Sequence, residues 1–304
     1  MPDRPAGRRG GRSQPPERQP SGRQPPRRQP TGRQPARRPA GGPARGQAAG
    51  QDGSPAAPGE DAATEAQQEA SALKLLTEGS LEVEGRLIVA SNATLYCTIR
   101  HGDTVAACVY KPVAGERPLW DFPTGSLAGR EVAAYEVSRS AGFGVVPPTV
   151  YREGPFGPGM CQLWIDADQT VDVLALARRT DHAGLRAMAV FDAVINNADR
   201  KAGHLLPAPG GHLYGCDHGV CFGEEYKLRT VLWQWRGRSL PGRSVAALRR
   251  LQECFDEGDL GETMAAWLTE EEVKATRDRL ELLLKHRVHP YPPEDWPAVP
   301  WPPV

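Results

Sequence analysis

Among its 304 residues the chain has six cysteines (97, 108, 161, 216, 221 and 254), and no two form a C-x-x-C pair. The usual zinc-ribbon and thioredoxin-like spacings are therefore excluded. Most of the six sit in apolar runs, where cysteine behaves as a small hydrophobe, so they read as reduced, structural residues. No run of 18 apolar residues occurs, which leaves no candidate membrane span. The first residues lack the apolar core of a secretory signal, and the cytoplasm is the expected compartment.

Charge of one sign is missing from each end of the first seventy residues. Residues 1–50 hold twelve arginines against only Asp3 and Glu17, whereas residues 51–70 hold five carboxylates and no lysine or arginine. The formal charge of zero is thus a cancellation between opposed segments. Arg-Gln-Pro recurs every five residues at Arg18, Arg23, Arg28 and Arg33, with almost no large apolar residue nearby. Such a segment cannot bury a core. Residues 1–70 are expected to be a disordered basic tail and acidic linker whose arginines attract anionic partners, and residues 71–304 a single folded unit of about 230 residues.

Within that unit the pattern changes from strand to helix. Residues 81–90, 93–99 and 104–110 are apolar and β-branched and are separated by turn residues, which predicts three antiparallel strands. A helix is predicted over 127–141 with Ser126 as N-cap and Gly142 as stop, followed by a buried strand over 160–165. Leu185, Met188, Phe191, Val194 and Ile195 share one face of a helix that runs into Asn196-Asn197. Short strands at 204–206 and 212–216 follow. Thr269 with Glu272 is a capping-box pair that opens a last helix to about residue 287. Trp233, Trp235, Trp296 and Trp301 read as packing residues, and the proline-rich stretch from Tyr291 as an extended segment. This is an α+β plan, with a small β-rich lobe over about 80–165 and a larger helical lobe over about 166–304.

Four charged residues occur at element ends in an order that suits phosphate chemistry. Lys111 closes a strand and is followed by Pro112, so its ammonium leaves the sheet at a fixed point where it could hold phosphates. Glu131, in the first turn or so of the next helix, could pair with it, and Glu136 is the weaker candidate. Asp199 lies just beyond a buried helix, positioned to orient an acceptor hydroxyl, with Lys201 two residues on. Asp217 opens Asp217-His218-Gly219 after a strand, the acidic-x-Gly form that holds Mg²⁺ between phosphates. His204 stands where a metal-binding Asn is usual. No G-x-G-x-x-G follows the first strand, so the turn with Ser91, Asn92 and Thr94 is the candidate phosphate loop. The strand edge at Gln162 and Leu163 is placed for adenine. Singly, each feature has an ordinary reading as a solvated lysine, a helix end or a turn; their order is what distinguishes them.

The stretches Val109-Tyr-Lys-Pro112, Arg130-Glu-Val-Ala-Ala-Tyr135, Val146-Pro-Pro-Thr149, Asn197-Ala-Asp-Arg-Lys201 and Cys216-Asp-His-Gly219 resemble the phosphatidylinositol 3-/4-kinase-like family of atypical kinases, in particular its compact actinobacterial branch of unknown substrate. The resemblance spans residues 80 to about 240. It implies a bilobal protein-kinase-like fold and an ATP-dependent phosphotransferase using Mg²⁺ or Mn²⁺. Lys111 would be the ATP lysine, Asp199 the catalytic-loop aspartate, and Asp217 with His204 the metal ligands. The acceptor would carry a hydroxyl, on a protein, a small molecule or a lipid head group. Residues 224–233, where the acceptor would sit, lack a basic run for an inositol phosphate. Because His204 departs from the family pattern, an ATP-binding module without turnover is an alternative, and AMP transfer on the same fold is another.

Overall fold

The structure, a computed structural model, describes residues 58–87 and 92–304, all within one structural unit. The Arg-rich tail and Ser91 lie outside the described residues. The acidic stretch expected to be a linker is helical from residue 58: α1 (Pro58–Glu78) runs across position 70. Its Ala, Glu, Gln and Leu residues are good helix formers, and it has an apolar end to bury. Leu75 and Leu76 pack with Cys97, Ile99 and Cys108 of the sheet, and Glu69 accepts a 2.7 Å hydrogen bond from the Tyr135 hydroxyl.

Five antiparallel strands follow, β1 (Ser80–Arg86), β2 (Leu95–His101), β3 (Thr104–Pro112), β4 (Thr149–Gly154) and β5 (Gly157–Leu163). Their order in the sheet is β1-β2-β3-β5-β4. Three antiparallel strands and a further strand over 160–165 were expected in this region, and β4 is the addition. Tyr151 and Val150 of β4 are only half-buried, so its alternation is weak. Pairing of Lys111 with Met160 puts the end of β3 beside the middle of β5.

Helix α2 (Leu127–Ala141) has the expected ends, and Gly142 closes it in the left-handed region at φ 66°. Its start differs. Ser126 makes no capping bond to the helix; the Glu116 carboxylate accepts from the first-turn amides of Leu127 and Ala128 instead, at 3.2 and 2.8 Å. An anionic cap also complements the positive end of the helix. Most of α2 is buried, because it lies between Met160 of the sheet and the helical half of the molecule.

That half contains α3 (Val173–Ala177), α4 (Ala183–Val194), α5 (Gly242–Asp256), α6 (Leu260–Ala265) and α7 (Glu270–His286) around one apolar core. A two-stranded ribbon, β6 (Leu205–Pro207) with β7 (Leu213–Gly215), is shorter than predicted. The Thr269–Glu272 capping box forms as expected. Glu272 also accepts from Arg130 at 2.5 Å, and Arg130 donates to Cys221 O at 2.8 Å. At the other end of α2, Arg250 donates to Ala141 O at 2.9 and 3.1 Å. The helix is thus fastened at both ends to the helical half. The last residues run extended over the same half, with Thr230 N and Trp233 Nε1 both donating to Ala298 O.

Candidate functional site

The end of β3, the second turn of α2 and the loop after β7 bring three predicted residues together. Lys111 Nζ donates to Glu131 Oε1 at 2.5 Å and to Asp217 Oδ1 at 2.9 Å. Glu131 is 2% exposed, whereas the Asp217 side chain is 48% exposed and faces solvent. Glu136 is directed elsewhere and pairs with Arg139 at 2.7 Å. Of the two glutamates predicted for Lys111, the structure selects Glu131.

One ammonium shared by two carboxylates sets the charge states. Burial works against the Lys111 ammonium, but Asp217 and then Glu131 outweigh it and hold its pKa above the ordinary lysine value. Lys111 first, opposed by burial, keeps Asp217 well below the usual carboxylate range. Burial is the largest influence on Glu131 and pushes it up, against Lys111. Asp217 is therefore the ionised, accessible partner. Its backbone has φ 61°, a left-handed conformation that costs a residue with a Cβ about 1–2 kcal/mol.

Asp199 lies on the wall of the same cavity. Burial raises its pKa, and the Lys201 ammonium at 2.9 Å opposes the rise. The loop carrying it is tightly specified. Asn197 Oδ1 accepts from Asp199 N at 2.9 Å, and Asn197 Nδ2 donates to Asp192 of α4 at 3.0 Å. Arg200 points inward, pairs with Asp192 at 2.8 Å with both side chains wholly buried, and donates to Cys216 O and to His218 Nε2. The loops of Asp199 and Asp217 are tied through this guanidinium. His218 N donates in turn to Glu131 Oε2 at 2.8 Å.

His204 was expected among the metal ligands. Its Nδ1 accepts from Lys201 N at 3.4 Å, and its Nε2 faces Asp217 Oδ2 at 3.5 Å. Burial lowers its pKa to about 4, against the pull of Asp217, so the ring is neutral at pH 7. With Nδ1 accepting, the proton resides on Nε2. In this geometry the Nε2–H is directed at Asp217. Among the described residues no group of three or more His, Cys, Asp or Glu side chains is placed to hold a metal by itself.

The cavity has a volume of about 350 Å³ and is walled by Lys111, Glu131, Asp199 and Asp217, within the range typical of small-molecule sites. Asn92 reaches it and accepts from Arg117 N at 3.0 Å. The remaining predicted nucleotide contacts do not converge here. Thr94 is buried away from the cavity, and Ala93 N is already bonded to Gly115 O. Gln162 uses its amide on Thr149 Oγ1 at 2.8 Å, and Leu163 N donates to Pro148 O at 2.9 Å. Gln162 is paired with Thr149 of β4 and Leu163 with Cys108 of β3, and neither is among the described residues that line the cavity.

Sequence reasoning missed the mouth. Lys227 pairs with Asp121 and lies 3.7 Å from the centroid of the Trp296 ring and 5.1 Å from that of Trp120. The two indoles stack at 5.8 Å, and Trp120 is 81% exposed. Trp296, expected only to pack, therefore joins the last segment of the chain to the loop before α2. The local signal was Trp120 beside Asp121 in a loop between Pro118 and Pro123.

No protein-family model matches the chain. "Protein Rv2133c" of Mycobacterium tuberculosis is 43% identical over 262 residues, covering 75% of this chain and 94% of that protein. The chain belongs to the family of that mycobacterial protein. This member of the family is also 30% identical over 128 residues to "Phosphatidylinositol 4-kinase gamma 4" of Oryza sativa subsp. japonica; the match covers 36% of this chain and 22% of the plant protein. Among solved structures, the Golgi casein kinase with Mn/ADP bound aligns at a TM-score of 0.49 and 15% identity over 73% of this chain and 75% of that one. No helix of the described residues is long and apolar enough to cross a membrane.

Proposed function

We propose that this family member is an ATP-dependent phosphotransferase of the atypical-kinase type, and that the cleft at Lys111 is its active site. The observation that carries the reading is the Lys111 ammonium held between buried Glu131 and accessible Asp217, with Asp199 on the same cavity wall. The stretch shared with a phosphatidylinositol 4-kinase supports it. Phosphoryl transfer asks a protein chiefly for positioned charge, and each required charge has a candidate here.

Lys111 would bind phosphate oxygens, with Glu131 keeping its ammonium on axis. Asp199, whose pKa is raised by burial, would accept the hydroxyl proton of the acceptor, a role that improves as a base approaches the working pH. Lys201 would hold that carboxylate in place. The donor set fits Mg²⁺ or Mn²⁺ carried in with phosphates, because such ions need only one or two protein carboxylates, and Asp217 offers a half-exposed one. The metal would neutralise charge on the transferred group. His204 would orient Asp217 as a donor.

Full-length protein incubated with γ-labelled ATP and either metal tests the reading. Labelled product or released phosphate is expected from the wild type and not from Asp217→Asn at an unchanged melting temperature. Equal turnover by both proteins would sink it. The orientation of His204 favours a second reading, nucleotide binding without turnover, for which the expected result is metal-dependent ATP binding and no labelled product from the wild type.

A further inference from the structure

A second cavity, of about 530 Å³, lies beyond the other end of α2, where the first turns of α4 and α5 converge. Arg179, Arg243, Arg250, His182 and His212 line it, and among the described residues Asp181 is the one carboxylate that does. Arg179 is paired with Asp181 at 2.9 Å. Arg243 and Arg250 have no carboxylate partner among the described residues. Arg243 donates to Ala183 O and Arg250 to Ala141 O, so both guanidiniums are held in place by carbonyls while their charge remains uncompensated.

The helix ends add to this. Pro241, at the N-cap of α5, has no side chain to cap its first-turn amides, and a helix N-terminus with free amides attracts anions. In that first turn Ser244 lines the cavity, is 1% exposed, and its Oγ has no hydrogen-bond partner among the described residues. A buried hydroxyl without a partner is a deficit that structures rarely tolerate. Gly184, in the first turn of α4, is close-fitted: a Cβ there would sit 3.1 Å from His182 Cε1 and 3.2 Å from Leu213 Cβ.

We propose that this cavity is a binding site for a small molecule carrying two phosphate groups, held by Arg243, Arg250, the first-turn amides of α5 and the Ser244 hydroxyl. Two unneutralised guanidiniums match two phosphates, and guanidinium is the side chain best suited to phosphate oxygens. The site is separate from the Lys111 cleft and does not rest on the activity proposed there.

Calorimetric titration of the full chain with inorganic pyrophosphate, and separately with a hexose bisphosphate, tests the site. The tighter of the two identifies adjacent or separated phosphates. Wild type and Lys111→Met should bind alike, which keeps the cleft out of the result, and the Arg-rich tail is common to every sample. Arg243→Glu should weaken binding by about tenfold or more and Ser244→Ala by a few-fold, on the scale of lost charged and neutral hydrogen bonds. Because its hydroxyl has no partner, Ser244→Ala should melt no lower than wild type, so it decides the matter even where Arg243→Glu does not fold. Binding of neither ligand, binding unchanged in both cavity variants, or binding lost in Lys111→Met alone would overturn the proposal.

Discussion

Two cations, the fully buried Arg200 and the mostly buried Lys111, lie within one network and are treated in opposite ways. Arg200 meets a single carboxylate, Asp192, with both side chains wholly buried, and its other N–H groups go to Cys216 O and His218. The two charges are matched and neither side chain faces solvent. Lys111 meets two carboxylates, one of them half exposed, so its surroundings carry an excess negative charge at a cavity. A matched, sealed pair holds loops in register; an unmatched pair open to solvent has capacity left for a ligand.

The largest effect should come from the open side of this contrast. Asp199→Asn should lower the rate of phosphoryl transfer by about 10²–10⁴-fold, the usual scale for a general base, with ATP affinity unchanged in a binding titration. The sealed side should show itself in stability. Arg200→Met leaves Asp192 buried without its partner and should cost about 3–5 kcal/mol in urea unfolding. Lys111→Met should cost less than half of that, since Asp217 is half exposed and keeps its solvent. Equal losses from the two variants would break the comparison.

Acidification sharpens it further, because buried neutral imidazoles are another matched arrangement. His289 accepts from Arg186 Nε at 3.3 Å, and burial, then Arg186, lowers its pKa to about 4; His204 is lowered to about 4 as well. The unfolded chain takes up protons on these rings from about pH 6.5, while the folded chain does not until about pH 4. Stability must therefore fall as the pH drops through that window, by at most about 1.4 kcal/mol per unit for each ring. His289→Gln should flatten the slope of melting temperature against pH. The smallest effect is expected at Glu116, where loss of the α2 cap in Glu116→Ala should cost about 1 kcal/mol.

What could be read in the sequence follows the range of the interactions. Lys111, Glu131, Asp199 and Asp217 each sit at an element end announced by local pattern, and so does the Thr269–Glu272 box. Contacts without a local pattern were not legible. The cap of α2 comes from Glu116, eleven residues upstream, although Ser126 has the better local signature. The pairing of Trp120 with Trp296 joins residues 176 apart in sequence. The periodicity of α5 was available in Leu248, Leu251 and Phe255, all buried, whereas Arg243 and Arg250 become notable only once no carboxylate among the described residues pairs with them. Of the expected nucleotide contacts Asn92 reaches the cavity, whereas neighbouring donors are already committed: Ala93 N to Gly115 O, Leu163 N to Pro148 O and the Gln162 amide to Thr149.

The fastening of α2 at both ends decides which body can move. Arg130 ties its first turn to Glu272 and Cys221 O, Arg250 ties its last turn to α5, and a Cβ on Gly129 would come within 3.1 Å of the Trp267 ring. The helix is mechanically part of the helical half, although it follows β3 in the chain. A rocking motion that widened the cleft would therefore carry the sheet across a stationary α2, and Lys111, the one member of the charged trio on the sheet, would travel while Glu131 and Asp217 stayed fixed.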